Sequence, residues 1–218
     1  MAKACRDHVL DQGPKGTTGH TGSDDSTSWS RTARYGTRTG SGECIAYGQK
    51  TGIGVVMRLL VNDGVASRAH RKMITDPDHK VVGNFSGPHK EYGMMTTQDF
   101  ASAFSKEFMP SKEEEDQQSI AAGGYNLPSD VSIVDQAIFA ETNKLRKDPK
   151  SFIPYLKSRL TYFKGNTYYT PGVESGESTD EGPAAVQEAI TFLENMQPVG
   201  ELAWSPGIAK ACQDHVVD

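Results

Sequence analysis

Two histidines and two acidic residues in the first third of the chain carry side chains that suit metal or acid–base chemistry. They are His20 in GPKGTTGHTG, Glu43 in GSGECIAYG, Asp63 in LLVNDGV and His70 in SRAHRKM. Neutral imidazole nitrogens and carboxylate oxygens are the usual non-thiol ligands of zinc. If the four side chains converge on one cavity, we expect them to hold a divalent metal. Spacing alone does not establish such a site, because scattered histidines and acids are ordinarily surface groups or hydrogen-bonding partners.

A repeated segment indicates how the domain that carries these residues is organised along the chain. The sequence AKACRDHVLD at residues 2–11 returns as AKACQDHVVD at residues 209–218, with only two differences. Each copy is predicted to be a helix with its Ala, Cys and Val side chains facing inward. The copies are a whole domain apart, so the chain resembles the back of one domain followed by the front of the next. One domain has one place for this helix, so either the two parts close within one chain or they swap between chains. We interpret the chain as a fragment of a tandem protein and expect closure within one chain.

The chain is predicted to form one domain from two parts. Its 218 residues, of which 36% are hydrophobic, suffice for one core but are short for two. Residues 1–108 are interpreted as the C-terminal part of the domain and residues 131–218 as its N-terminal part. Between them, residues 109–130 are acidic and then rich in Gly and Pro, which is typical of a linker.

Hydrophobic periodicity predicts an α+β fold. Helices are expected at residues 132–149, 183–196 and 53–61, and strands at residues 80–84 and 92–100. Gly87 and Pro88 would form the turn between the two strands. Residues 165–183 are interpreted as a long surface loop. Helices at both ends of a short antiparallel sheet favour the α+β class.

Composition excludes several classes of function. The net charge of -5, with basic residues scattered among acids, argues against nucleic acid as a partner. We expect no transmembrane segment, because no apolar run of about 18 residues exists. The residues after Met1 are polar, so no signal peptide is expected in this chain. Three cysteines, two of them copies of one position, cannot form a disulfide framework, and their redox state stays open.

In the proposed structural order, several motifs resemble the CAP superfamily (SCP domain) with its halves circularly permuted. They are ETNKLRKDPKSFIPYL, ELAWSPGIAKACQDHV, GHTGSDDSTSWSRTARYG, GECIAYG, DGVASRAHRKMI and VVGNFSGPHKEYGMMTTQDFA. The family includes cysteine-rich secretory proteins, antigen 5 and plant pathogenesis-related proteins of group 1, and its bacterial and protist branch fits best. The resemblance implies a three-layer α-β-α sandwich, an extracellular location, and an open cleft lined by two histidines and two acids.

The resemblance also implies which residues line that cleft. His20 matches the first cleft histidine, Glu43 the glutamate of the Gly-Glu-Asn motif, and His70 the histidine of the Gly-His-Arg motif. Asp63 stands in the place of the second acid. Some family members bind zinc or magnesium at this cavity, and others bind sterols or fatty acids in separate grooves. A general enzymatic activity does not follow from the resemblance.

Other side chains near these motifs have simpler interpretations. Cys44 replaces the asparagine of the family motif and is read as a small buried hydrophobe, with metal ligand or nucleophile as the alternatives. Arg31, Arg34 and Tyr35 match a family pattern in which an arginine and a tyrosine support the cleft wall, which implies a structural role. Trp29, Tyr35 and Tyr47 could line an apolar groove but are expected in the core. The remaining histidines are expected beside the sheet (His8, His215) or solvated in loops (His79, His89).

The sequence therefore predicts a binding or interaction module with a His/acid cleft that can hold Zn²⁺ or Mg²⁺. Its partner would be a protein or a lipid or sterol ligand. The alternative is a zinc-dependent hydrolase in which the metal activates water and Glu43 serves as general base. A sterol-binding or lipid-binding protein is a third alternative, which would use apolar groove residues rather than the histidines.

Overall fold

The computed structural model describes residues 1–105, 131–173 and 175–205 of the chain. These residues form helices and a mixed sheet, so the α+β class is confirmed. The predicted linker at residues 109–130 and the second copy of the repeat at residues 209–218 lie outside the described residues. Within the described part of the chain, no helix has both the length and the apolar character needed to span a membrane.

Seven α-helices are described, and several begin at side-chain caps. Thr51 caps α3 by accepting from the backbone N–H of Gly54, and Ser132 caps α5 by accepting from that of Asp135. The helices are α1 (Ala2–Gln12), α2 (Ser28–Ala33), α3 (Gly52–Val61), α4 (Ala69–Thr75), α5 (Ile133–Lys147), α6 (Ile153–Leu160) and α7 (Pro183–Asn195), with a short 3₁₀ helix at Pro149–Phe152.

The main sheet has four strands in the order β1-β3-β2-β7. Its strands are β1 (Thr37–Tyr47), β2 (Val81–Gly87), β3 (Met95–Ser105) and β7 (Ala203–Trp204). All neighbouring pairs are antiparallel except β2 with β7, which is parallel. A small second sheet consists of β4 (Phe163–Lys164), β5 (Thr167–Tyr168) and β6 (Glu177–Ser178).

Helices cover both faces of the main sheet. Successive side chains of a strand point to opposite faces, so neighbouring Glu43 and Cys44 on β1 face different helices. Cys44 belongs to the main core cluster with Val82 and Phe100, on the face covered by α3 and α5. The opposite face, which carries Glu43, is covered by α1 and α2. The sheet therefore separates an apolar core from the polar residues discussed below.

Residues from both predicted parts of the chain share this core. Val82 of β2 pairs with Trp204 of β7, whose ring stacks edge to face on Phe139 of α5 with ring centroids 5.3 Å apart. Arg146, fully buried, donates to the carbonyl oxygens of Ile74 and His79, each over 3.1 Å. The described segments on either side of the predicted linker thus form one hydrophobic unit.

The helices predicted at residues 53–61, 132–149 and 183–196 are confirmed, with ends shifted by one or two residues. Strand β1 was not expected, because TRTGSGECIAY contains residue types that are depleted in strands. It forms by pairing with β3 along its whole length. Gly42 permits close packing there, because a Cβ atom at this position would lie 2.2 Å from Cε of Met73.

The expectation that His79 and His89 are solvated is wrong. Their exposures are only 8% and 3%. His79 Nδ1 donates to the carbonyl oxygen of Met73 over 3.1 Å, and His89 Nε2 donates to that of Thr17 over 2.9 Å. Both loops fold back on the chain, and each imidazole is held by a hydrogen bond to a backbone carbonyl.

Candidate functional site

A buried glutamate holds one of the predicted histidines in a fixed orientation. Glu43 lies on β1, and its side chain is almost fully buried. Its Oε1 atom lies 2.8 Å from Nδ1 of His20, and its Oε2 atom accepts from the Arg31 guanidinium over 2.7 Å. The same guanidinium donates to the backbone carbonyls of Ser26 and His20. Arg31 therefore fixes both the carboxylate and the loop that carries the imidazole.

The hydrogen bond determines which nitrogen of His20 is available. A carboxylate only accepts, so Nδ1 carries the proton and Nε2 has the lone pair. The bond to Glu43 raises the pKa of His20 although burial opposes this. The side chain is 57% exposed, and no described residue hydrogen-bonds to Nε2. His20 thus presents an acceptor nitrogen when neutral and a cation when protonated.

His70 is oriented by a different partner. Asn62 ends α3 in the left-handed conformation, which asparagine tolerates well, and its Oδ1 accepts from the backbone N–H groups of His70 and Arg71. Its Nδ2 then faces Nδ1 of His70 over 3.0 Å. Because an amide nitrogen only donates, Nδ1 of His70 must accept and Nε2 must carry the proton. His70 is thereby a neutral hydrogen-bond donor.

Electrostatics keep the two imidazoles in different states. Burial lowers the pKa of His70, and the positive charge of His20 lowers it further. His20 and His70 are therefore close enough to interact, although no hydrogen bond joins them. The result is a histidine with a raised pKa near one with a lowered pKa.

Asp63 does not join this group. Its Oδ2 and Oδ1 atoms accept from the backbone N–H groups of Asp180 and Glu181 over 2.8 and 2.9 Å. It also borders a different cavity, which is lined by Arg58 and Arg159. Asp63 therefore connects the loop after α3 to the segment before α7. Of the four predicted residues, His20 and Glu43 are in contact, and His70 interacts electrostatically with His20.

The four predicted ligands are not gathered into one metal-binding group in the described part of the chain. Both oxygens of Glu43 already accept hydrogen bonds, and Asp63 is engaged elsewhere. A metal-binding imidazole usually donates its other N–H to an acceptor, whereas Nδ1 of His70 accepts from an amide. Among the residues that the structure describes, no group of three or more His, Cys, Asp or Glu side chains is placed to hold a metal.

Asp99 is a site residue that sequence reasoning missed. It lies on β3 directly opposite Glu43 and is fully buried. Burial, together with the negative charge of Glu43, raises the pKa of Asp99 to about 6. Ser28 donates to Oδ1 over 2.8 Å and the thiol of Cys5 to Oδ2 over 3.3 Å. The motif TTQDFA contained this residue, but only the pairing of β1 with β3 places it beside Glu43.

Cys44 is not a metal ligand or a nucleophile. Its side chain is fully buried on the apolar face of the sheet, away from Glu43. Burial raises the pKa of its thiol, with the negative charge of Glu43 as the next cause. A neutral thiol without access to solvent lacks the thiolate character that both roles require. The interpretation of Cys44 as a small buried hydrophobe is confirmed.

Arginines balance the acids on this face of the sheet. The buried side chain of Arg38 stacks on Trp29, with its Cζ atom 4.6 Å from the ring centroid. Burial lowers the pKa of Arg38, while the charges of Asp99 and Glu43 oppose that change. Trp29, expected in the core, is 57% exposed and covers the guanidinium from outside. With Arg31 and Arg38 facing two acids, protonation of His20 gives the site a positive charge.

An open groove of about 370 Å³ lies apart from these residues, beside α7. It is lined by polar and apolar side chains: Arg71, Glu188, Thr191, Phe192, Asn195 and Met196.

No family model, no curated protein and no solved structure matches this chain.

Proposed function

We propose that this chain is a binding module of the SCP/CAP type, with its halves circularly permuted and of secreted origin. The order of the motifs supports the resemblance, and helices on both faces of the sheet agree with a three-layer sandwich. The proposed cleft contains His20, Glu43 and His70. It binds its ligand through hydrogen bonds and charge, without chemical turnover.

The observation that carries the proposal is the chain of contacts from Arg31 through Glu43 to His20. A buried ion pair holds the imidazole, whose side chain is 57% exposed. Such a preorganised group loses little conformational freedom on binding. Since His20 is readily protonated and His70 carries a proton on Nε2, the cleft offers two N–H donors and a positive charge. These features suit a carboxylate, as on a protein partner or a fatty acid.

A hydrolase is the second candidate, because an imidazole oriented by a carboxylate is the arrangement of a general base. In this geometry His20 would take the proton, and Glu43 would orient it. The zinc-dependent form predicted from the sequence requires ligands that the described residues do not supply. A sterol ligand remains a prediction that rests on the family resemblance.

The proposal is tested by nuclear magnetic resonance titration of the full chain with acetate, palmitate and cholesterol. We expect acetate and palmitate to shift the imidazole signals of His20 and His70, and His20→Gln to abolish both responses. Asp63→Asn is the matched control and should leave them unchanged. A palmitate response without an acetate response would indicate an apolar site. Binding that survives in His20→Gln would contradict the proposal, and so would hydrolysis of p-nitrophenyl acetate that is lost in that variant.

A further inference from the structure

The surface of the sheet that holds α1 has a shape and chemistry specific to this helix. Gly83 of β2 lets the helix approach closely, because a Cβ atom there would lie 2.2 Å from the backbone nitrogen of Ala2. Cys5 donates its thiol to the carbonyl oxygen of Gly83 over 3.2 Å and to Asp99. We call this surface of β2 and β3, together with the loop at residues 13–23, the α1 slot.

Further contacts bind α1 at its other end. His8 donates from Nε2 to the carbonyl oxygen of Gly19 over 2.8 Å. Asp11 accepts from the backbone N–H of Ser23 over 2.7 Å. The loop that contains His20 is thus hydrogen-bonded to two side chains of α1. The slot recognises a helix by a thiol, an imidazole and a carboxylate at fixed positions.

The second copy of the repeat carries all of these recognition groups. The buried residues of α1 within the repeat are Ala2, Ala4, Cys5, His8 and Val9, and each is identical in residues 209–218. The two differences fall elsewhere: Arg6 is only partly buried, and Leu10 is 49% exposed. The residue types that α1 buries in the slot are therefore all present in residues 209–218.

The chain just after β7 lies close to the start of α1. The backbone nitrogen of Met1 donates to Oγ of Ser205 over 3.4 Å in a buried contact. By standard bond lengths, this places the Cα atom of Ala2 within about 11 Å of that of Ser205. The four residue steps from Ser205 to Ala209 reach up to about 14 Å. Residues 209–218 of the same chain can therefore reach the slot.

We propose that α1 and residues 209–218 are alternative occupants of the α1 slot within one molecule. When residues 209–218 bind, Cys212 and His215 replace Cys5 and His8 at Gly83 and Gly19, and the sheet keeps its cover. The loop with His20 then loses its direct covalent link to the bound helix. Gln12, which donates to the carbonyl oxygen of Thr21, has no counterpart within the repeat.

The test uses matched charges buried in each copy. Ala4 is fully buried, so Ala4→Asp places an unpaired carboxylate in the slot and expels α1. Ala211→Asp is the equivalent change in the second copy. Alkylation with a maleimide, read by mass spectrometry of the peptides, reports which thiol is covered, because a buried thiol reacts only when the slot opens. Cys44, buried in the core, is the internal reference.

In each single variant we expect the thiol of the unaltered copy to be protected at least about 100-fold relative to that of the altered copy. Cys212 is therefore protected in Ala4→Asp and Cys5 in Ala211→Asp, and the double variant loses cooperative unfolding. The proposal is overturned if Cys212 reacts in Ala4→Asp as fast as in the double variant, or if Ala4→Asp fails to fold. Protection found only in a species of twice the mass would overturn exchange within one molecule in favour of exchange between chains.

Discussion

Glu43 and Asp99 lie directly opposite each other on β1 and β3, and both are buried. Two buried carboxylates at paired positions disfavour simultaneous ionisation. Arg31 binds Glu43, whereas Asp99 accepts only from Ser28 and from the thiol of Cys5 in the described residues. Of the two carboxylates, Asp99 is therefore the one whose pKa is raised, to about 6, while Glu43 keeps its ion pair with Arg31.

This difference predicts a dependence of stability on pH. Burial, with the charge of Glu43, raises the pKa of Asp99 from its ordinary 3.8 to about 6 in the folded state. The folded protein holds this proton more tightly than the unfolded chain, so the contribution is complete below pH 3.8 and is lost as the pH rises through about 6. Asp99→Asn should reduce the fall in the free energy of unfolding between pH 4 and 7, measured by urea denaturation. An unchanged fall would contradict this assignment.

Glu43→Gln should lower the pKa of His20. The raised pKa depends first on the hydrogen bond to the Glu43 carboxylate, and a neutral amide stabilises an imidazolium much less. Titration of the imidazole proton signals should show the His20 pKa moving down toward or past 6.5. His79, whose Nδ1 is bound to a backbone carbonyl, serves as the reference. A His20 pKa that stays raised would show that Glu43 does not hold it.

Asn62→Asp should raise the pKa of His70. A carboxylate at this position still accepts from the backbone N–H groups of His70 and Arg71, but it replaces an amide donor with an acceptor. Nδ1 of His70 would then carry a proton, and Nε2 would become the acceptor nitrogen when the ring is neutral. Titration of the imidazole proton signals measures the pKa of His70, with the pKa of His20 as the comparison. A pKa that remains lowered would contradict the tautomer assigned to His70.

Arg68→Gln should destabilise the junction between α4 and α7. The Arg68 side chain is 10% exposed, and it binds both oxygens of Glu181 and one oxygen of Glu188. Loss of these charged hydrogen bonds should reduce the free energy of unfolding by about 2 to 3 kcal/mol. Arg58→Gln, which removes a more exposed pair with Glu177, should cost less than about 1 kcal/mol. Equal losses in urea denaturation would show that burial of the Arg68 pair adds nothing.

The elements that the sequence predicted well are those with strong local signals. Apolar residues at helical spacing, with a capping Ser132 and a terminating Pro149, mark α5 without any knowledge of its neighbours. Strand β1 has no comparable signal, because its glycines and polar residues become a strand only through pairing with β3. The register of that pairing, and with it the position of Asp99, could not be read from the sequence.

The sequence predicted only the part of the site that has local sequence signals. His20 and Glu43 were named from their motifs, and the structure brings them into contact. Asp63 was named from its position along the chain, but its carboxylate is held by the backbone of residues 180 and 181, more than a hundred residues away. The role of Asn62 depends on the left-handed end of α3. Such contacts are decided by tertiary structure rather than by spacing.

The most direct test of the account is nitrogen NMR of the imidazole rings at pH 8, recorded before and after one equivalent of Zn²⁺. We expect His20 to carry its proton on Nδ1 and His70 on Nε2, because Glu43 accepts and Asn62 donates. The added zinc should not shift the two rings together. Saturation of both His20 and His70 at one equivalent would contradict a metal-free binding cleft and would restore the zinc site as the better interpretation.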